Sequence, residues 1–148
     1  VIYSSWQAQT SWADTILSTF GTVSRSIRTA PGVTQAILDQ GIVLCYFNAG
    51  SSGTIFQLPW TLGFSGNATQ LHFALTVGKV IFYIADLNDN NASGLTVTGP
   101  LRYVIIPGGV AGGRTAEKAC EINGQVYTES QLKSMSYAQV CNLLRIQQ

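Results

Sequence analysis

The sequence predicts a mainly β protein: an antiparallel β-sandwich or jelly roll with a short C-terminal hairpin and one or two short helices. Three observations carry that expectation. Short apolar or alternating runs recur between Gly, Pro and Asn residues along most of the chain, the pattern of strands separated by turns. The 39 residues from 40 to 78 contain no Asp, Glu, Lys or Arg, yet Asn48, Gly50, Pro59 and Gly63 interrupt them. They therefore cannot form the ~20-residue apolar helix that spans a membrane, and they read as strands whose polar positions are neutral. Beyond Pro107 the pattern changes to a tight turn and two helix-capping patterns.

Taken in order, Val1 to Gln7 is the first apolar run. Thr22 to Thr29 is the second, with Val23, Arg25, Ile27 and Thr29 on one face. Thr34 to Gln40 is a short helix, with Thr34 as N-cap and Gly41 expected in a left-handed C-terminal position. It leads into the strand Ile42 to Phe47, and Thr54 to Trp60 follows. Gln70 to Val77 alternates cleanly, placing Leu71, Phe73, Leu75 and Val77 on one face and His72 on the other. Gly78-Lys79 is the expected two-residue turn into Val80 to Leu87. Leu95 to Val97 and Leu101 to Ile106 complete the strands.

Gly108 to Gly113 is a connector. Asn123-Gly124, between Glu121-Ile122 and Gln125-Val126-Tyr127, predicts a hairpin because both residues tolerate positive φ. Thr128-x-x-Gln131 and Ser136-x-x-Gln139 are capping boxes, and the second opens a helix with Val140, Leu143 and Leu144 on one side. The chain thus reads as one domain, 1–148, with a sandwich core over 1–107 and an appendage over 108–148.

Only 15 of 148 residues are charged (8 basic and 7 acidic), or 10%, against about a quarter in ordinary soluble domains. A net charge of +1 gives no electrostatic basis for binding nucleic acid or an anionic membrane. Hydrophobic content of 46% with three Trp and six Tyr excludes disorder. Such neutral β-rich composition fits an extracellular or cell-surface location. The opening Val1-Ile2-Tyr3, without Met or signal peptide, carries the expectation that an N-terminal segment was removed. Cys120 and Cys141 flank the hairpin and helix of the appendage and are expected to form a disulfide, which would stabilise it by ~3 kcal/mol. Cys45, inside an apolar strand, is expected to be buried and free.

Three blocks resemble one family: Ala30 to Gly41 with the following strand, Leu101 to Gly113, and Ser136 to Ile146. The family comprises uncharacterised exported bacterial proteins, some with collagen-like Gly-x-y repeats ahead of this domain. The resemblance implies export and transfers no catalytic residue. The present sequence has no Gly-x-y region.

Each motif with chemical potential also has a structural reading. Gly108-x-x-x-x-Gly113-Arg114-Thr115 approximates a phosphate-binding loop, but Arg stands where the motif needs Lys, and no long helix or βαβ unit follows. Asp86-Leu87-Asn88-Asp89-Asn90-Asn91 offers oxygen ligands suited to calcium, yet lacks the Gly and distal Glu of an EF-hand loop and equally suits a turn. Asp86 and Asp89 as a glycosidase pair would need something to raise one pKa, and nothing does so. His72 is the single histidine, with no ligand partner at metal spacing and no Gly-x-Ser-x-Gly elbow elsewhere. Trp6, Trp12, Trp60, Tyr3, Tyr46 and Tyr83 could form a sugar-stacking platform, although strand aromatics more often pack cores or interfaces. Asn67-Ala68-Thr69 and Asn91-Ala92-Ser93 match the glycosylation acceptor pattern and place both Asn on loops.

The resulting expectation is a non-enzymatic exported protein without metal or cofactor. Its partner would be itself, in a filament or symmetric oligomer, and the apolar residues Val1, Ile2, Tyr3 and Trp6 would take part. The alternative is a carbohydrate- or surface-binding module.

Overall fold

The computed structural model describes residues 1–50, 53–64, 67–109 and 117–148. It is mainly antiparallel β, with three layers. The first is a five-stranded sheet in the order β2 (Ala13–Leu17), β3 (Gly21–Thr29), β8 (Lys79–Asp86), β7 (Asn67–Thr76), β6 (Trp60–Phe64). The second is a four-stranded sheet in the order β1 (Ile2–Tyr3), β9 (Leu101–Ile106), β4 (Ile42–Asn48), β5 (Ile55–Gln57). The third consists of the hairpin β10 (Ala119–Ile122) and β11 (Gln125–Thr128) with helices α2 (Glu129–Ser134) and α3 (Tyr137–Leu144). A single-turn-and-a-half helix, α1 (Gln35–Gln40), leads into β4.

The middle sheet explains the longest apolar runs. Every residue of β9, and every residue of β4 but the last, is buried, because both faces of the sheet are covered. Val43, Cys45, Phe47, Leu101, Tyr103 and Ile105 meet Leu71, Val80, Phe82 and Ile84 of the five-stranded sheet. On the reverse face Ile42, Leu44, Tyr46, Val104 and Ile106 meet Cys120, Leu132, Val140 and Cys141 of the third layer. Full burial of a side chain such as Leu132 contributes about 1.5–3 kcal/mol, so the appendage is held on by ordinary core packing.

The local signals for this layer act as expected. Asn123 and Gly124 adopt φ values of 54° and 79° in the hairpin turn. Both capping boxes form, with Thr128 and Ser136 each accepting from the backbone three residues on.

Several expectations need correction. Two edge strands, β2 and β6, add to those the sequence pattern marks: β2 lies in a stretch of mixed polarity, and β6 follows β5 after the two residues Leu58 and Pro59. Leu95–Val97 forms no strand, and these residues run as an irregular crossing instead. The turn between β7 and β8 is Val77-Gly78, with φ +77° at Gly78, so Val77 leaves the core face and is exposed. Gly41 is extended, not left-handed; a Cβ there would stand 2.9 Å from Ile37 Cα, so close packing sets its identity. In β3, Val23, Arg25, Ile27 and Thr29 do alternate with Ser24, Ser26 and Arg28, and the polar set is the one buried toward the middle sheet, while Ile27 is 45% exposed. The expected disulfide is absent, since Cys120 and Cys141 are both buried free thiols, as is Cys45. The appendage draws its stability from the apolar cluster those two cysteines share with Leu132 and Val140.

Candidate functional site

Two places concentrate unusual chemistry. The first is the N-terminal strip. Ile2 and Tyr3 pair with Ile105 and Val104, placing β1 at the edge of its own middle sheet. Gln7 exchanges two backbone hydrogen bonds with Leu101. Val1, Ile2 and Tyr3 are 52%, 51% and 43% exposed, while Trp6 is half-buried. Beneath this strip lies Arg102, 3% exposed. Its Nε donates to the Ser4 carbonyl at 2.9 Å, and one terminal nitrogen donates to the Gln147 carbonyl at 2.6 Å and to the Tyr137 hydroxyl. The rings of Tyr3, Trp6 and Tyr137 surround the guanidinium at 4.8, 5.8 and 6.0 Å. A buried charge must be hydrogen-bonded or paired, and here carbonyls and aromatic faces serve in place of a carboxylate. Burial, then a hydrogen bond with Cys141, pushes the Tyr137 phenol up to about 12. Next to it the Tyr46 hydroxyl is buried with no hydrogen-bond partner among the described residues, and its pKa is also raised, chiefly by burial.

The second place is the flank where β5, at the edge of the middle sheet, leads into β6, at the edge of the five-stranded sheet. Leu58 and Pro59 carry the chain from one sheet to the other, and Trp60 stacks against Phe56 at 4.3 Å and Phe47 at 5.6 Å, which are cross-strand partners on β5 and β4. The uncharged run 40–78 contains β4, β5, β6 and β7, so it builds this flank and the strands behind it. At its rim stands Lys133, beside Gln57, Leu58 and Pro59, its charge paired with Glu129 at 2.7 Å. The strand β6 ends the five-stranded sheet, with Thr61, Leu62 and Gly63 exposed and Leu62 at 47%. Edge strands are ordinarily kept short or given charge, Pro or a bulge. Here β1 and β5 are short and β2 carries Asp14, whereas β6 runs five residues with no charge.

The other sequence candidates fall elsewhere. His72 sits on the outer face of the five-stranded sheet between Phe20 at 4.8 Å and Tyr83 at 5.2 Å. Its Nδ1 is buried with no partner among the described residues, and desolvation lowers its pKa. The six candidate stacking aromatics do not converge: Tyr3 and Trp6 surround Arg102, Trp12 and Trp60 pack on the sandwich core, Tyr46 lies under the third layer, and Tyr83 is covered on the outer face.

In the Asp86–Asn91 loop the Asp86 carboxylate accepts from the Asn88 and Asp89 backbone N–H groups, which holds it below the usual carboxylate range. Asn90 takes φ 55° and its carbonyl accepts from Thr22, so the loop braces the start of β3. Among the described residues no group of three His, Cys, Asp or Glu side chains is placed to hold a metal. Asn67 and Asn91 are both exposed. Most of the phosphate-loop-like segment, residues 110–116, lies outside the described residues. No described helix is long and apolar enough to cross a membrane.

Sequence reasoning missed both buried arginines. For Arg102 a signal existed: it is the one charge in the apolar run Leu101 to Ile106. No family model, curated protein or solved structure matches the chain.

Proposed function

We propose that this is an exported, non-catalytic structural protein that assembles with copies of itself through the β6 edge. The observation that carries the reading is the uncharged flank ending in a five-residue edge strand that has no strand beyond it among the described residues. An open edge offers a row of backbone donors and acceptors to another chain, and the absence of like charges removes the usual barrier to pairing. The exposed apolar strip Val1–Tyr3 lies at the far end of the middle sheet from β5, on the opposite flank. Contact between the two flanks of successive copies would be head-to-tail, and such a contact propagates into a filament unless its rotation closes a ring.

The test is native size by light scattering together with negatively stained particles. Wild-type protein is expected to be oligomeric or filamentous. Thr61→Lys and Leu62→Lys together should yield a monomer with unchanged circular dichroism, because the outermost strand tolerates charge without loss of its own pairing to β7. Wild-type protein that remains monomeric at high concentration overturns the reading.

A further inference from the structure

We propose that the cleft between the N-terminal segment and β3 binds a small polyhydroxylated carboxylate, such as a uronic acid residue, through Arg28. The cleft has a volume of about 450 Å³, within the range of about 300–1,000 Å³ usual for small-molecule sites. Ser4, Ser5 and residues 7–11 form one wall, and Ser26 to Thr29 with Tyr103 form the other.

Its chemistry is one-sided. The lining carries hydroxyls from Ser5, Thr10, Ser11 and Thr29 and amides from Gln7 and Gln9, and no Asp, Glu or Lys is among the lining residues. At the floor lies Arg28, only 9% exposed. Two of its N–H groups donate to main-chain carbonyls, of Leu101 at 2.8 Å and Ser5 at 3.1 Å. The Tyr103 ring lies 5.3 Å from its guanidinium carbon. An arginine has five donors and a permanent charge, so carbonyls and one ring leave donors unused and the charge without an anion. Among the described residues no carboxylate pairs with it.

The walls are fixed before any ligand arrives. Trp12 Nε1 donates to the Gln9 carbonyl at 2.9 Å, and Ser26 Oγ donates to Gln9 Oε1 at 3.2 Å, which ties the loop to β3. A pre-formed cation at the bottom of a hydroxyl- and amide-lined cleft matches a ligand with one carboxylate and several hydroxyls. The planar fork of arginine takes the carboxylate, and the rim donors and acceptors take the hydroxyls. The cleft lies on the flank opposite the β6 edge, so its occupancy is read both on wild-type protein and on the Thr61→Lys, Leu62→Lys variant, which separates ligand binding from assembly.

Calorimetric titration of the whole protein with D-glucuronate tests it, with D-glucose and acetate as the comparison ligands. Glucuronate is expected to bind, glucose not detectably, and acetate roughly ten-fold or more weakly than glucuronate, since it keeps the charge but loses the rim contacts. Thr10→Glu, which adds a carboxylate at the exposed rim and leaves the core untouched, should weaken glucuronate by roughly ten-fold or more. Arg28→Gln should abolish binding. Absence of glucuronate binding to the wild-type protein overturns the proposal. So does equal binding of acetate or glucose, or undiminished binding by folded Thr10→Glu protein.

Discussion

The Arg102 guanidinium lies 4.8 Å from the ring centre of Tyr3, so the one buried cation of the middle sheet is roofed by an edge strand of two residues. A strand that short gains little from its own ladder, and the ring contact, with the Ser4 carbonyl taken by Nε, supplies what the ladder lacks.

Replacing Arg102 with Gln is therefore expected to do more than remove a charge. The Ser4 and Gln147 carbonyls and the Tyr137 hydroxyl lose their donor, and three rings lose their cation. The combined destabilisation should be roughly 2–4 kcal/mol. Urea denaturation measures it, and hydrogen exchange should show residues 2–4 opening first. Unchanged stability with unchanged exchange would contradict the assignment.

All three thiols should be silent in the folded protein. Burial raises the Cys45 pKa well above the usual thiol range and that of Cys120 to a lesser degree, and the thiolate is the reactive form. A maleimide should label no cysteine before denaturation and three afterwards, and a reductant should leave the melting midpoint unmoved. Cys120→Ser, which puts a hydroxyl into an apolar cluster, should cost about 1–3 kcal/mol.

For His72 the folded pKa lies below the ordinary value near 6.5, because burial disfavours the charged ring. The sign follows directly. The contribution is complete above about pH 6.5, erodes as the unfolded chain takes up its proton, and is gone once pH has fallen through the depressed folded value. His72→Phe keeps a ring between Phe20 and Tyr83 but cannot titrate. The stability difference between wild type and variant should shift against the wild type as pH drops from about 8 to about 5. A difference that is flat over that interval would show that the ring titrates as if exposed.

Gly21 carries φ +69°, and a Cβ there would stand 2.3 Å from the Asn90 carbonyl oxygen. Gly21→Ala is expected to destabilise by roughly 1–3 kcal/mol through backbone strain and displacement of the 86–91 loop. Comparison with Gly53→Ala, also at positive φ but with open space around the Cβ, separates the steric part from the conformational part.

The sequence made the fold class legible because its signals are local and mutually consistent. Asn123-Gly124, Thr128 with Gln131, and Ser136 with Gln139 each determine their own few residues of backbone, and no tertiary contact opposes them. The alternation of Leu71, Phe73 and Leu75 likewise named its own buried face. In β3 the alternation of Val23, Arg25, Ile27 and Thr29 left open which face turns inward, and it is Ser24, Ser26 and Arg28 that face the cleft and the middle sheet. Polarity predicts exposure only where burial offers no hydrogen-bond partners, and here the Leu101 and Ser5 carbonyls provide them. The cysteines failed for a related reason. Their spacing spoke of a thin appendage in need of a staple, whereas the reverse face of the middle sheet gave that appendage a core. The edge strand β6 was hidden because its significance is a matter of position in the sheet, which spacing along the chain does not encode.

The two carbonyls that meet at Arg102 belong to Ser4 and Gln147, near opposite ends of the sequence. The mechanical consequence is a short load path. Tension applied through these two segments meets at one side chain and its aromatic collar, and the N-terminal segment passes part of it to β9 through the pairing of Ile2 and Tyr3. The load is thus shared between Arg102 and the strand that carries it, at the edge of the middle sheet rather than across the five-stranded one.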